Sequence, residues 1–143
     1  MAFPGPSRRG NQGERELLML DNTTMWEAAM KKFVNDPKNF VPEMLKGIAL
    51  ANPGTLKYVP EYNLIMRAEG PRNDKVSIVQ GSGSGHEPAH VMVVGKGMLD
   101  AACPGDVFSA PPMEYVLETT KLLKSDKGVL LLVNNYTGDK MAF

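Results

Sequence analysis

Two polar, glycine-bearing segments carry the residue types that could do chemistry. The first is Gly81-Ser82-Gly83-Ser84-Gly85-His86-Glu87-Pro88. Alternating glycine and serine let a ligand come close to the backbone, and an imidazole and a carboxylate follow at once. The second is Asn134-Asn135-Tyr136-Thr137-Gly138-Asp139. If both segments line one pocket, Gly83 and Gly85 offer backbone donors, His86 donates or accepts a hydrogen bond, and Asp139 or His86 takes a proton. That set suits a small polyhydroxyl or carbonyl compound. Each residue also has a structural reading. Asp139 could cap a short helix over the last residues, His86 could be a helix-entry residue, and Glu87 could be a first-turn carboxylate favoured by the helix dipole.

Common motifs built on such residues do not fit. A phosphate-cradling loop needs Gly-Lys-Ser/Thr, whereas Gly95-Lys96 is followed by Gly97. The dinucleotide pattern fails because Gly81 and Gly83 lead to His86 in place of a third glycine, and a hydrolase elbow fails because Ser82 lies two residues before Ser84. His86-Glu87-Pro88-Ala89-His90 does match the zinc motif H-E-x-x-H by letter. Zinc would need both histidines on one helical face, but Pro88 is tolerated only in a first turn, which leaves His86 at or before the cap. A metallohydrolase is therefore a minor alternative, and no metal ligand is assigned.

The elements around these segments follow from apolar spacing and breakers. Asp36-Pro37 opens a helix over about 38–51, with Phe40, Met44, Leu45, Ile48 and Leu50 on its buried face, ended by Asn52-Pro53-Gly54. Strands are expected near 55–59, 62–67 and 75–79, and the glycine loop follows the last. A helix over about 87–94, an apolar segment 98–103 and a helix from Pro111-Pro112 to about Leu123 come next. Val129-Leu130-Leu131-Leu132-Val133 reads as a strand buried on both faces. Alternating strands and helices imply an α/β fold with a mixed, mainly parallel sheet flanked by helices. In such folds ligands collect at the carboxyl ends of strands, where both polar segments lie.

The chain has 143 residues, enough for one core, and 16 basic residues offset 16 acidic ones. No net field or basic cluster points to nucleic acid, and no apolar run approaches the ~20 residues that span a bilayer. The lone Cys103 permits no internal disulfide and suits a reducing, cytoplasmic setting, where it reads as a small buried apolar residue. Residues 1–29 read as an N-terminal extension, disordered or weakly helical, before Met30.

Five blocks give a sharper expectation. Met30-Lys31-Lys32-Phe33-Val34-Asn35-Asp36-Pro37, Gly83-Ser84-Gly85-His86-Glu87-Pro88, Gly97-Met98-Leu99, Cys103-Pro104-Gly105-Asp106-Val107-Phe108 and Asn135-Tyr136-Thr137-Gly138-Asp139 together resemble the dihydroxyacetone kinases. Residues 30–143 look like the N-terminal portion of the family's substrate-binding domain. The resemblance implies a homodimeric phosphotransferase component that binds dihydroxyacetone or a related ketose. It implies substrate contacts at Gly83, Ser84, Gly85, His86, Asn134 and Asp139. His86 would assist proton movement, and Asp139 would be the base toward the attacking hydroxyl. It also implies that this chain binds no cofactor, because ATP or ADP with magnesium sits on a separate all-helical domain or subunit.

The departures from the family pattern are equally specific. The family's kinases are longer, and their further part supplies a histidine that holds the substrate carbonyl covalently, so a fragment or split-gene product without turnover of its own is expected. Bacterial members often carry Lys at the position of Asn134 and Ser at that of Ala110. A non-catalytic ketose-binding regulatory or interaction module of the same fold is the alternative.

Overall fold

Asp36 caps the first described helical segment, its Oδ1 accepting the Lys38 N–H at 2.9 Å, and Pro37 takes the first helical position, where a missing N–H is harmless. The computed structural model describes residues 33–143. The fold belongs to the unit Asp36–Phe143, and the expected extension 1–29 lies outside the described residues. A single 3-10 turn, Pro37–Asn39, runs into helix α1, Phe40–Ala51. Val41 and Leu45 form its buried stripe, with Met44, Ile48 and Ala49 partly buried beside them. Leu50, expected on that face, is 71% exposed and Phe40 lies at the margin, while Val41 faces inward. The inward stripe thus follows the i, i+4 spacing of Val41 and Leu45.

Strand β1 is Leu56–Val59 and β2 is Leu64–Arg67. They pair antiparallel across the 3-10 turn Pro60–Tyr62 and Asn63, which takes a left-handed φ of 45°. Asparagine is among the few side chains that tolerate that region. Strand β3 is Ser77–Gln80, β4 Gly83–Ser84, β5 Ala101–Ala102, β6 Gly105–Val107 and β7 Val129–Leu132. Helix α2 covers Met113–Leu122 and α3 covers Thr137–Ala142. The main sheet has the order β1-β2-β5-β3-β7, and β4 pairs with β6 in a small second sheet. The pairs β5/β3, β3/β7 and β4/β6 are parallel, while β1/β2 and β2/β5 are antiparallel. The sheet is therefore mixed, with parallel pairing where the polar loops emerge.

Side chains alternate across the sheet as the period of two requires. Ile65 and Ala102 join Val41 and Leu45 of α1 on one face, together with Leu56, Val91, Val94 and Leu99. Leu64, Met66, Val79 and Ala101 form the opposite face with Leu123, which follows α2. A third cluster, Cys103, Val116 and Ala142, joins α2 and α3 beneath the polar loops.

Two expectations are overturned. Residues 87–94 form no α-helix: the segment is turn-like, with only Val91–Val93 in a 3-10 turn. Pro88 contributes no donor there, Val91, Val93 and Val94 are β-branched, and glycines follow at 95 and 97. Strand β7 is not buried on both faces either. It is a sheet edge with Val129 and Leu131 turned to the core side and Leu130 and Leu132 left 48% and 39% exposed. A continuous apolar run does not reveal whether a layer covers its second face.

A buried ion cluster ties the sheet's approach loops. The Asp100 carboxylate accepts the Ile78 N–H at 2.8 Å, lies 2.7 Å from Lys75 Nζ and 3.3 Å from Arg67 Nη1, and Arg67 also pairs with Glu69. Burial opposes ionisation of Asp100, but the Lys75 hydrogen bond and the Ile78 N–H, with Arg67, hold its carboxyl below the ordinary value. A depressed folded pKa stabilises the fold at pH values above the unfolded pKa of ~3.9, and that stabilisation is lost as pH falls through the folded value. Asp100→Asn should thus cost roughly 3 kcal/mol in urea denaturation at pH 7, the scale of breaking a buried pair, with the gap to wild type narrowing at acid pH. Equal midpoints at pH 7 would contradict this role.

The small second sheet has no room for side chains at its pairing point. Gly83 and Gly105 are register partners, and a Cβ would lie 2.5 Å from Ser109 N at the former and 2.1 Å from Ser109 O at the latter. Gly105→Ala should destabilise by roughly 1–3 kcal/mol, since backbone must move. An unchanged denaturation midpoint would show that the loop yields freely.

Candidate functional site

The site begins with strand register. Strands β3 and β7 run parallel through Ser77↔Val129 to Gln80↔Leu132, so their carboxyl ends emerge side by side. Past β3 the chain becomes the glycine-serine loop, and past β7 it becomes Val133 to Asp139. Gln80 Nε2 donates to Asn134 Oδ1 at 3.2 Å, tying the strand ends, and Ser82 Oγ donates to Asp139 Oδ2 at 2.9 Å, tying the loops. Between them opens a cavity of about 890 Å³. Ser82, Gly83, His86, His90, Asn134 and Asp139 form its polar lining, with Ala89, Phe108, Ala110 and Tyr136 among the rest.

Four residues singled out from sequence meet here: Gly83, His86, Asn134 and Asp139. Asp139 is only 2% exposed. It sits in the first turn of α3, yet its carboxylate is engaged by Ser82 across the cavity floor, and the position before the helix makes no side-chain cap. The capping alternative therefore does not describe it. His86 is exposed at the cavity edge, its ring meeting Phe108 edge to face at 5.4 Å.

Ser84 and Gly85 do not line the cavity. Ser84 is buried and its Oγ donates to the Gly105 carbonyl at 2.7 Å, stitching β4 to β6. Gly85 adopts φ +101° beneath the Phe108 ring, where an added Cβ would lie 2.9 Å from Phe108 Cε1. Glu87 accepts the Gly85 N–H at 2.9 Å and so closes the loop turn.

His90 and Phe108 are lining residues that spacing did not single out for a ligand. His90 is 6% exposed, and burial first, then the neighbouring His86, push its pKa below the ordinary value against the opposing pull of Asp139 and Glu87. A neutral imidazole results at pH 7. Its Nδ1 is buried with no hydrogen-bond partner among the described residues. In sequence His90 showed only as the second histidine of a zinc pattern. The helical face which that pattern needs is missing, because residues 86–90 turn through an Ala89 N–H to His86 carbonyl bond. Among the described residues no group of three His, Cys, Asp or Glu side chains is placed to hold a metal. Burial pushes the Cys103 thiol up to about 11, so it stays protonated and packs as an apolar residue. No described helix is long and apolar enough to cross a membrane.

Residues 46–143 match the Dak1 domain model. A protein of Escherichia coli K12, the dihydroxyacetone-binding subunit DhaK of the PEP-dependent dihydroxyacetone kinase, is 43% identical over 115 residues, covering 80% of this chain and 32% of its own length. A putative 3,4-dihydroxy-2-butanone kinase of Solanum lycopersicum is 45% identical over 118 residues, covering 79% of this chain and 20% of its own length. Among solved structures, the dihydroxyacetone kinase of C. freundii in complex with AMP-PNP and Mg²⁺ superposes with a TM-score of 0.73 at 38% identity, over 80% of this chain and 22% of that one. The dihydroxyacetone kinase operon co-activator Dha-DhaQ gives 0.67 at 42% identity, over 71% and 30%. The chain thus spans one third or less of these relatives' lengths. With the domain model matched over most of its residues, the chain belongs to the Dak1 domain family.

Proposed function

We propose that this chain is the ketose-holding part of a dihydroxyacetone-kinase-type phosphotransferase, and that the cavity between the two strand ends receives the ketose. The observation that carries the proposal is the meeting of His86 and Asp139 in one hollow. Asp139 would accept the proton of the hydroxyl that receives the phosphoryl group. Ser82 donates to its Oδ2, orienting the carboxylate, and no protein donor among the described residues reaches Oδ1. His86 would hydrogen-bond the ketose at the cavity edge. The Asn134 carbonyl is taken by Gln80, which leaves its amide hydrogens to donate to a ligand oxygen. Gly83 admits the ligand to the backbone, and Ser84 and Gly85 act by shaping the loop that presents His86.

The phosphoryl donor does not belong in this cavity. A single buried carboxylate beside two imidazoles, an amide and neutral hydroxyls is a poor donor set for magnesium, which is bound through carboxylates and phosphates in an octahedral oxygen shell. On this reading nucleotide and magnesium sit on a separate all-helical domain or subunit, and the substrate part, residues 30–143 with the family's further length, works as a cytoplasmic homodimer. Phosphoryl transfer asks mainly for positioning and charge stabilisation, so one placed base is a sufficient demand on this side.

A second reading is a ketose sensor without turnover, favoured by the likeness to an operon co-activator. It also fits Asn134, an uncharged side chain at a polar cavity wall.

A transfer assay separates the two. Mixed with a helical nucleotide subunit, with and without a supplied carboxy-terminal half, the kinase reading expects transfer to dihydroxyacetone. It also expects a fall of roughly 10²–10⁴-fold in Asp139→Ala, the range of general-base removal. Turnover of Asp139→Ala near the wild-type rate would refute the base assignment. Calorimetric ketose binding with no transfer in any mixture would establish the sensor, and no binding at millimolar ketose would defeat both.

A further inference from the structure

His86 must present its imidazole to a ligand, yet among the described residues nothing in the protein hydrogen-bonds that side chain. What meets it is the Phe108 ring in a T-shaped pair, with ring centroids 5.4 Å apart and planes at 72°. Phe108 is itself unusual. It holds φ +53°, a left-handed conformation that a bulky aromatic residue rarely adopts. Little burial compensates, since Phe108 is 71% exposed. The backbone is fixed there from both sides: the Phe108 N–H donates to the Ser84 carbonyl at 2.8 Å, and the Ser109 N–H to the Asp106 carbonyl at 3.0 Å. Glycine or asparagine would suit that turn position with less strain. An exposed aromatic in a disfavoured conformation, aimed over Gly85 at an otherwise untethered imidazole, calls for a reason beyond folding.

We propose that Phe108 is a positioning residue, whose ring fixes the imidazole of His86 at the cavity edge in the orientation that meets the ketose. The proposal rests on the ketose reading for its ligand but not for its geometry. An edge-to-face pair restricts ring rotation without consuming either nitrogen, so both remain for hydrogen bonding. Gly85 completes the device, because a side chain there would collide with the Phe108 ring.

The test compares wild type, Phe108→Gly and Phe108→Tyr in the full chain. Glycine removes the ring and relieves the left-handed backbone, while tyrosine keeps the ring. In the ligand-free chain, NMR signals of the His86 ring should move toward those of free histidine in Phe108→Gly and stay in place in Phe108→Tyr. Calorimetry with dihydroxyacetone should show roughly 3- to 10-fold weaker binding for Phe108→Gly, the scale of one aromatic pair, and near-wild-type binding for Phe108→Tyr. The melting temperature of Phe108→Gly should hold or rise. Unchanged His86 signals and affinity in Phe108→Gly would overturn the proposal. So would weaker binding accompanied by a clear loss of melting temperature, which would mark Phe108 as a packing residue. If the wild type binds no dihydroxyacetone, the ketose reading falls and the ligand-free ring signals alone decide the role of Phe108.

Discussion

Everything at the site depends on the parallel pairing of β3 with β7. Residues 80 and 132 stand opposite each other although 52 positions separate them in the chain, and that pairing sends two polar loops out of one sheet edge in the same direction. An antiparallel partner would have delivered its loop to the far end of the sheet. Two side-chain bonds, Gln80 to Asn134 and Ser82 to Asp139, then hold the loops together at the base of the cavity. The buried carboxylate and the edge imidazole are thus placed by backbone register first and by side chains second.

Burial divides the labour among the cavity's polar groups. Asp139 is almost fully covered but keeps a hydroxyl donor on one carboxylate oxygen. His90 is covered without such a partner on Nδ1 and stays neutral. His86 remains exposed at the cavity edge, while His90 lines the same cavity from a buried position. Gly81, Gly83 and Gly105 lie against backbone atoms, which leaves that loop little freedom to change its path.

Much of this was legible in the residues. The helix over 40–51, the strand pair around Pro60, the strand into the glycine loop and the helix after Pro111-Pro112 follow from breakers and apolar spacing, and the two polar segments announced themselves by composition. Other features were hidden for physical reasons. The segment 87–94 carries apolar residues at helical spacing, but a proline and β-branched valines leave it as turns. The valine-leucine run of β7 hides its status as an edge, because an apolar residue looks the same whether or not another layer covers it. His90 and Phe108 were hidden in a different way. Their roles come from where non-local packing puts a ring, and no local pattern encodes that distance.

The most direct measurement is a crystal structure of the chain with dihydroxyacetone. One three-carbon molecule should lie between the loops, with one oxygen within hydrogen-bond reach of the His86 imidazole and another within reach of the Asp139 carboxylate, ~2.6–3.2 Å in each case. Density for the ketose elsewhere, or contacts to one loop alone with the other residue beyond the reach of so small a molecule, would contradict a shared site at the paired strand ends.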